Sequence, residues 1–82
     1  MSRYFVPARD KKYKVVLGWD PPLNTYFAQV YDHSITDEDE QLILWEAGTP
    51  KPIHDLDQLA WLVYEYAEVP QDILTKLYRD AN

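Results

Sequence analysis

Residues 12–32 have the sequence KYKVVLGWDPPLNTYFAQVYD, and this stretch decides the fold. Residues 12–19 are rich in Tyr and Val, which favour β-strands, and residues 25–32 have the same character. Between them, two consecutive prolines interrupt the first strand because proline cannot donate to a ladder, while Asp20 favours a turn. Residues 20–24 are therefore predicted to connect two strands as a β-hairpin.

A third strand is predicted at residues 41–47, after a polar loop over residues 32–40. No helix separates the three predicted strands, so parallel crossovers are excluded and the strands form an antiparallel meander over residues 12–47. Before the meander lies a basic N-terminal arm, residues 1–11, and after it a linker, residues 48–54.

Two helices are predicted over residues 55–80. Asp55 is suited to cap the first helix, and apolar residues recur behind it at helical spacing. Pro70 ends that helix and fits the first turn of the second, because the residue before a proline avoids the α region. The 82 residues are thus predicted to form a single α+β domain, in which two C-terminal helices pack on one face of a three-stranded antiparallel sheet (β-β-β-α-α).

Large apolar side chains occur on both faces of the predicted second and third strands, since alternate positions of a strand point to opposite faces. Two helices cover only one face of such a sheet, and a large uncovered apolar patch is unusual for a monomer. Residues 4–7 could fold back as a cap or as an added strand. Otherwise the second face is expected to bury against a protein partner or another copy, as a homodimer.

Partner-binding residues are expected on this helix-free face and at the adjoining hairpin. Tyr and Trp are favoured anchors because they bury much area at little cost in entropy. For Trp19 and Asp20 a purely structural role, as a core residue and a turn former, is the competing interpretation. The predicted binding residues are Tyr26, Val30, Ile43, Trp45, Trp19 and Asp20.

The net charge of −6 conceals a gradient along the chain. Residues 1–14 carry five basic residues and one acid, a net +4, whereas residues 15–82 carry three basic residues and thirteen acids, a net −10. An acidic body repels phosphate backbones, which disfavours nucleic acid as a partner. The same charge leaves one alternative open: an acidic inhibitor that mimics nucleic acid and occupies a basic groove.

Catalytic and cofactor motifs are not recognisable in the sequence. There is no cysteine, and two glycines are too few for a phosphate-binding loop. His33, His54 and the acidic loop at residues 32–40 leave a small metal-binding or hydrolytic enzyme as a second alternative. The loop lacks the glycine of a calcium-binding loop, and neither serine lies in a strained strand-to-helix turn. We therefore expect a non-enzymatic protein with no catalytic residue, no cofactor and no metal site.

The sequence offers no segment that predicts a membrane location. No apolar run approaches the roughly 18–20 residues of a membrane-spanning helix, and no signal-like segment opens the chain. We therefore expect a cytoplasmic protein that does not bind membranes.

The run from Val16 to Val30 resembles a group of small bacterial proteins of unassigned function. Their first hairpin carries Gly-Trp-Asp, then Pro-Leu, and then an aromatic pair followed by Ala. The resemblance extends loosely to Leu44-Trp45 and Gly48-Thr49, and it implies a bacterial cytoplasmic protein without a known activity. The matching residues here are Gly18-Trp19-Asp20, Pro22-Leu23 and Tyr26-Phe27-Ala28.

Overall fold

A computed structural model describes residues 2–48 and 51–82 of the chain. Four antiparallel strands form one sheet in the order β1-β2-β3-β4, and two helices follow. The α+β class, the antiparallel sheet and the two C-terminal helices are confirmed, but the predicted number of three strands is wrong. The elements are β1 (Ser2–Val6), β2 (Tyr13–Asp20), β3 (Thr25–Asp32), a 3-10 turn (Glu38–Glu40), β4 (Leu42–Glu46), α1 (Leu56–Leu62) and α2 (Gln71–Ala81).

The additional strand comes from the segment predicted to be a basic arm. β1 pairs with the outer edge of β2, so that Tyr4 lies opposite Leu17 and Val6 lies opposite Val15. The pairing satisfies backbone groups that β2 would otherwise leave free at the sheet edge. It also places Val6 in the core and Tyr4 against it.

The hairpin between β2 and β3 forms as predicted. The Asp20 carboxylate accepts a hydrogen bond from the Leu23 amide at 3.5 Å, and the Asn24 amide donates to the Pro21 carbonyl at 3.1 Å. Asn24 has a φ of 53°, a left-handed conformation that asparagine tolerates better than most residues. The turn therefore fixes the register in which the two longest strands pair.

The first helix is shorter than predicted. Its cap is Asp55, whose carboxylate accepts from the Asp57 amide at 2.8 Å, but the helix ends at Leu62 rather than near Pro70. Beyond the end of the helix, the backbone amide and the Nε of Arg9 donate at 2.8 Å to the carbonyls of Tyr66 and Tyr64. Those carbonyls are thus engaged by the segment after β1. The second helix begins at Gln71, with Pro70 as its N-cap.

The core lies between the helices and one face of the sheet. α1 packs against β3, and α2 packs against β1 and β2. The linker contributes Ile53, which is buried and whose backbone exchanges hydrogen bonds with Thr25 and Tyr26. Part of the predicted linker, residues 49–50, lies outside the described residues. The core residues are Val6, Val15, Leu17, Trp19, Tyr26, Ala28, Val30, Ile53, Leu59, Val63, Ala67, Ile73 and Leu77.

The register assigns each side chain to one of the two sheet faces, because directly opposed residues of antiparallel strands share a face. We call the face under α1 and α2 the covered face and the opposite one the helix-free face. The row of Tyr4, Leu17 and Ala28 lies on the covered face. The N-terminal segment extends the sheet sideways as β1, and it does not lie across the helix-free face.

Candidate functional site

One row of residues crosses all four strands on the helix-free face. In register order it consists of Phe5, Val16, Gln29 and Trp45. The two outer residues are largely exposed, Phe5 at 63 % and Trp45 at 54 %, whereas Val16 between them is completely buried. The row thus has a sealed centre and an exposed aromatic ring at each end.

Long side chains of the same face seal the centre of this row. The Lys14 ammonium lies 5.0 Å from the centre of the Phe5 ring and 5.5 Å from that of Tyr31, within the range of a cation–π contact. The Gln29 amide oxygen accepts from Arg3 Nη2 and from the Tyr31 hydroxyl, both at 3.4 Å. These contacts hold a layer of aromatic and basic side chains over the sheet without the help of a helix.

Beside this layer is a small cavity. The Phe27 ring, which lines it, can pack against the sheet only because residue 18 is a glycine. The Phe27 ring lies so close to Gly18 that a Cβ atom there would collide with it and with the Ser2 carbonyl. Phe27 is therefore pressed onto the sheet and almost fully buried. The cavity above it has a volume of about 180 Å³ and is lined by Arg3, Asp20, Leu23, Phe27, Gln29, Trp45 and Ala47.

Only part of the predicted binding set lies on the helix-free face. Asp20 and Trp45 line the small cavity there. Ile43 is half-exposed at a register shift of β4, where Leu42 pairs with Tyr31 and Leu44 with Val30. Whether any of these residues binds a partner remains a prediction.

The predicted grouping of Tyr26 and Val30 with Trp45 on one face is corrected by the register. Tyr26 and Val30 belong to the core on the covered face, as does Trp19. The rings of Trp19 and Tyr26 meet edge to face, with centroids 5.0 Å apart. Phe5 was the important omission, and the run Tyr4-Phe5-Val6, three residue types that favour β-strands, was the signal for it.

A larger cleft opens at one end of the covered face, between the β2–β3 hairpin, the start of α1 and the end of α2. Its volume is about 620 Å³. Burial, followed by electrostatic repulsion from Tyr78 and Asp80, raises the pKa of Tyr26 above its ordinary value of 10.0. The lining residues are Trp19, Asn24, Tyr26, His54, Asp55, Leu56, Asp57, Tyr78, Ala81 and Asn82.

The histidine and serine residues do not form a catalytic pair among the described residues. His54 donates from Nε2 to the Asn24 carbonyl at 2.8 Å rather than to Asp55. The Ser34 hydroxyl donates to Asp32 at 2.6 Å, which lowers the pKa of that carboxyl below its ordinary value of 3.8. Ser2 Oγ accepts from the backbone of Trp19.

Metal-binding geometry is also not found in residues 2–48 and 51–82, where no three His, Asp or Glu side chains converge on a point. In the predicted acidic loop, the Asp37 carboxylate instead accepts from the Asp39 amide at 3.0 Å and caps the 3-10 turn. Asp37, Glu38, Asp39 and Glu40 of this loop are exposed to solvent, and Asp32 is half-buried.

Comparisons with known proteins give no match for this chain among protein-family models, curated proteins or solved structures. The resemblance of residues 16–30 to small bacterial proteins therefore remains a prediction. Within the described part of the chain, neither helix has the length and apolar character needed to cross a membrane.

Proposed function

We propose that this protein is a non-enzymatic interaction module that associates with a second copy of itself through the helix-free face. The observation that carries the proposal is the exposure of Phe5 and Trp45 at opposite ends of one row. Aromatic residues that are exposed on a flat, otherwise sealed surface are the typical anchors of protein interfaces.

A second copy is favoured because the row is self-complementary. Phe5 lies on the edge strand β1 and Trp45 lies on the opposite edge strand β4. A two-fold axis that runs between two such faces, parallel to the strands, places β1 of one copy over β4 of the other. Phe5 of each copy then lies over Trp45 of its partner, beside the small cavity that Trp45 lines.

The size of the surface predicts a weak association. Strands lie about 4.8 Å apart, so a sheet of this size presents roughly 400 Å² per copy. Two such surfaces fall below the roughly 1,200 Å² at which stable interfaces begin. We therefore expect a reversible dimer that forms at high micromolar concentration.

Sedimentation velocity from micromolar to millimolar concentration tests the proposal. Trp45→Ala is expected to weaken the dimer about tenfold or more, as loss of an aromatic anchor does. The matched control is Trp61→Ala, which removes a tryptophan that is 74 % exposed on the outer side of α1. A chain that is monomeric at every concentration, or a control that weakens the dimer equally, contradicts the proposal.

Mixing two variants tests the predicted pairing itself. Phe5→Ala and Trp45→Ala homodimers each lack both Phe5–Trp45 contacts, whereas a heterodimer of the two retains one intact contact. The mixture is therefore expected to dimerise more strongly than either variant alone. Equal weakness of all three samples would show that the two residues do not meet across the interface.

Salt dependence separates this function from that of a nucleic-acid mimic. The anchors Phe5 and Trp45 are uncharged, and two copies of this face bring the basic side chains of Arg3 and Lys14 together, so the dissociation constant is expected to stay the same or fall as salt rises. A dimer that dissociates steeply with added salt would instead favour an interface formed by the acidic body, and would contradict the role given to Phe5 and Trp45.

A further inference from the structure

The cleft at the end of the covered face has the volume of a ligand site. Its volume of about 620 Å³ lies within the roughly 300–1,000 Å³ of sites that bind small molecules. Three of its walls come from different parts of the chain: the hairpin with Trp19 and Tyr26, the start of α1 with Asp55 and Asp57, and α2 with Tyr78.

The charges that line the cleft have one sign. Asp55 and Asp57 are its carboxylates, and neither lysine nor arginine is found among the described residues of the lining. A third carboxylate, Asp80, is close enough for its charge to act on the Tyr26 hydroxyl. The cleft is therefore electrostatically suited to a cation and unsuited to an anion.

Two polar groups in the cleft have no partner among the described residues. Tyr26 is only 3 % exposed and Trp19 only 8 %, yet neither the Tyr26 hydroxyl nor the Trp19 Nε1 donates to another described residue. No buried polar side-chain atom in the described part of the chain is both sealed from solvent and unpaired. Both groups line the cleft, where a bound molecule or water can meet them.

We propose that this cleft binds an organic cation, namely a primary ammonium or guanidinium group carried on a short apolar stem. The cationic head donates hydrogen bonds to Asp57 and to the oxygen of the Tyr26 hydroxyl. The exposed Tyr78 ring offers its face to the same charge, and the stem lies along Trp19. An apolar wall with a few convergent polar groups is the general arrangement of such sites.

A free amine and the side chain of a lysine or arginine in another protein present the same head group. The experiment therefore uses n-butylamine and agmatine as free cations and a capped tripeptide, acetyl-Gly-Lys-Gly-amide, as the protein-like form. Saturable binding of any of the three supports the site, and tighter binding of the tripeptide than of n-butylamine identifies a protein side chain as the natural source.

Two-dimensional amide and indole NMR of the full chain is the direct measurement. The three tryptophan indole signals are assigned with the Trp45→Phe and Trp61→Phe variants. The Trp19 signal is expected to shift saturably with added cation, while the other two stay unchanged. Equal concentrations of sodium chloride and of neutral n-butanol serve as controls, and a shift of the same size with either one contradicts the proposal.

Variants of the cleft measure separately what the carboxylate and what the hydroxyl contribute to binding. Asp57→Asn is expected to weaken binding about threefold, within the range of an exposed ion pair. Tyr26→Phe keeps the ring and removes the hydroxyl, and it is expected to weaken binding about threefold to tenfold. Glu68→Gln makes the same charge change outside the cleft lining and is expected to leave binding unchanged. Unaltered binding in both cleft variants would overturn the site.

This inference does not depend on self-association, since Phe5 and Trp45 lie on the other face of the sheet. A chain that binds the cation and remains monomeric would retain the site and lose the proposed function. A chain that dimerises without binding any of the three cations would retain the proposed function and lose the site.

Discussion

The two faces of this sheet bury their central residues by different means. Leu17 and Val30 on the covered face are sealed by helices packed against them, whereas Val16, on the same strand as Leu17, is sealed by side chains of its own layer. Packed helices keep water away from the residues beneath them, whereas a long side chain such as Lys14 can move aside and let water reach them. The comparison teaches that equal burial in a structure does not imply equal contribution to the free energy of unfolding.

The largest expected difference is between truncations on the two faces. Leu77→Ala removes a completely buried side chain from the interface of α2 with the sheet and is expected to cost about 2–5 kcal/mol. Trp45→Ala removes a larger but half-exposed side chain and is expected to cost less than about 1 kcal/mol. Urea unfolding at low micromolar concentration, where the chain is expected to be monomeric, compares the two. Similar costs would show that the helix-free layer is as important for stability as the helical core.

A smaller effect on the free energy of unfolding is expected for Gly18, against which the Phe27 ring of the helix-free face packs. Gly18→Ala places a Cβ atom against the Phe27 ring and the Ser2 carbonyl and is expected to cost about 1–3 kcal/mol, as overpacking does. Phe27→Leu in the same chain should recover part of that loss, because the colliding ring atoms are gone. A double-mutant cycle measured by urea unfolding provides the test, and strictly additive costs would contradict the contact.

The smallest expected effect is a loss of unfolding free energy in alkaline solution, and it comes from tyrosines on the covered side of the sheet. Burial raises the pKa of Tyr26 and Tyr66, and a hydrogen bond to Asp80 raises that of Tyr4, in each case above 10.0. The folded chain therefore holds protons that the unfolded chain releases, so stability is complete below pH 10.0 and falls as the pH rises through the folded-state values. The free energy of unfolding, measured as the pH rises above 10.0, should decline less for Tyr26→Phe than for the unmodified chain. A decline that is identical to that of the unmodified chain would contradict the shift at Tyr26.

Local patterns in the sequence predict the individual strands well. The second predicted strand has the bounds found for β3, and simple alternation along β2 puts Val15, Leu17 and Trp19 on one face, where all three belong to the core. Alternation within a strand is a property of the strand alone, so a single sequence reveals it. Asp55 at the start of α1 is confirmed for a similar reason, since a cap depends on its immediate neighbours.

Pairing between strands is what the sequence does not determine. Tyr26 and Trp45 were expected on one face, and they lie on opposite faces because Trp45 pairs with Gln29, which points away from the face of Tyr26 on β3. The same limit applies to β1: residues 4–7 were expected either to cap the second face or to add a strand, and the pairing with β2 shows the added strand. The contact of Arg9 with the Tyr64 carbonyl, 55 positions further along the chain, is likewise beyond what local patterns reveal.

The hydroxyl of Tyr4 donates to the carboxylate of Asp80, which is 76 positions further along the chain. β1 and α2 are thus joined by a contact that spans nearly the whole described sequence, and closing so long a loop is entropically the most demanding step that a chain of this length faces. While residues 71–82 are still being synthesised, β1 has no helix to pack against. The packing of β1 against α2 therefore has to wait until α2 has been synthesised, and such distant contacts raise the mean sequence separation that slows folding.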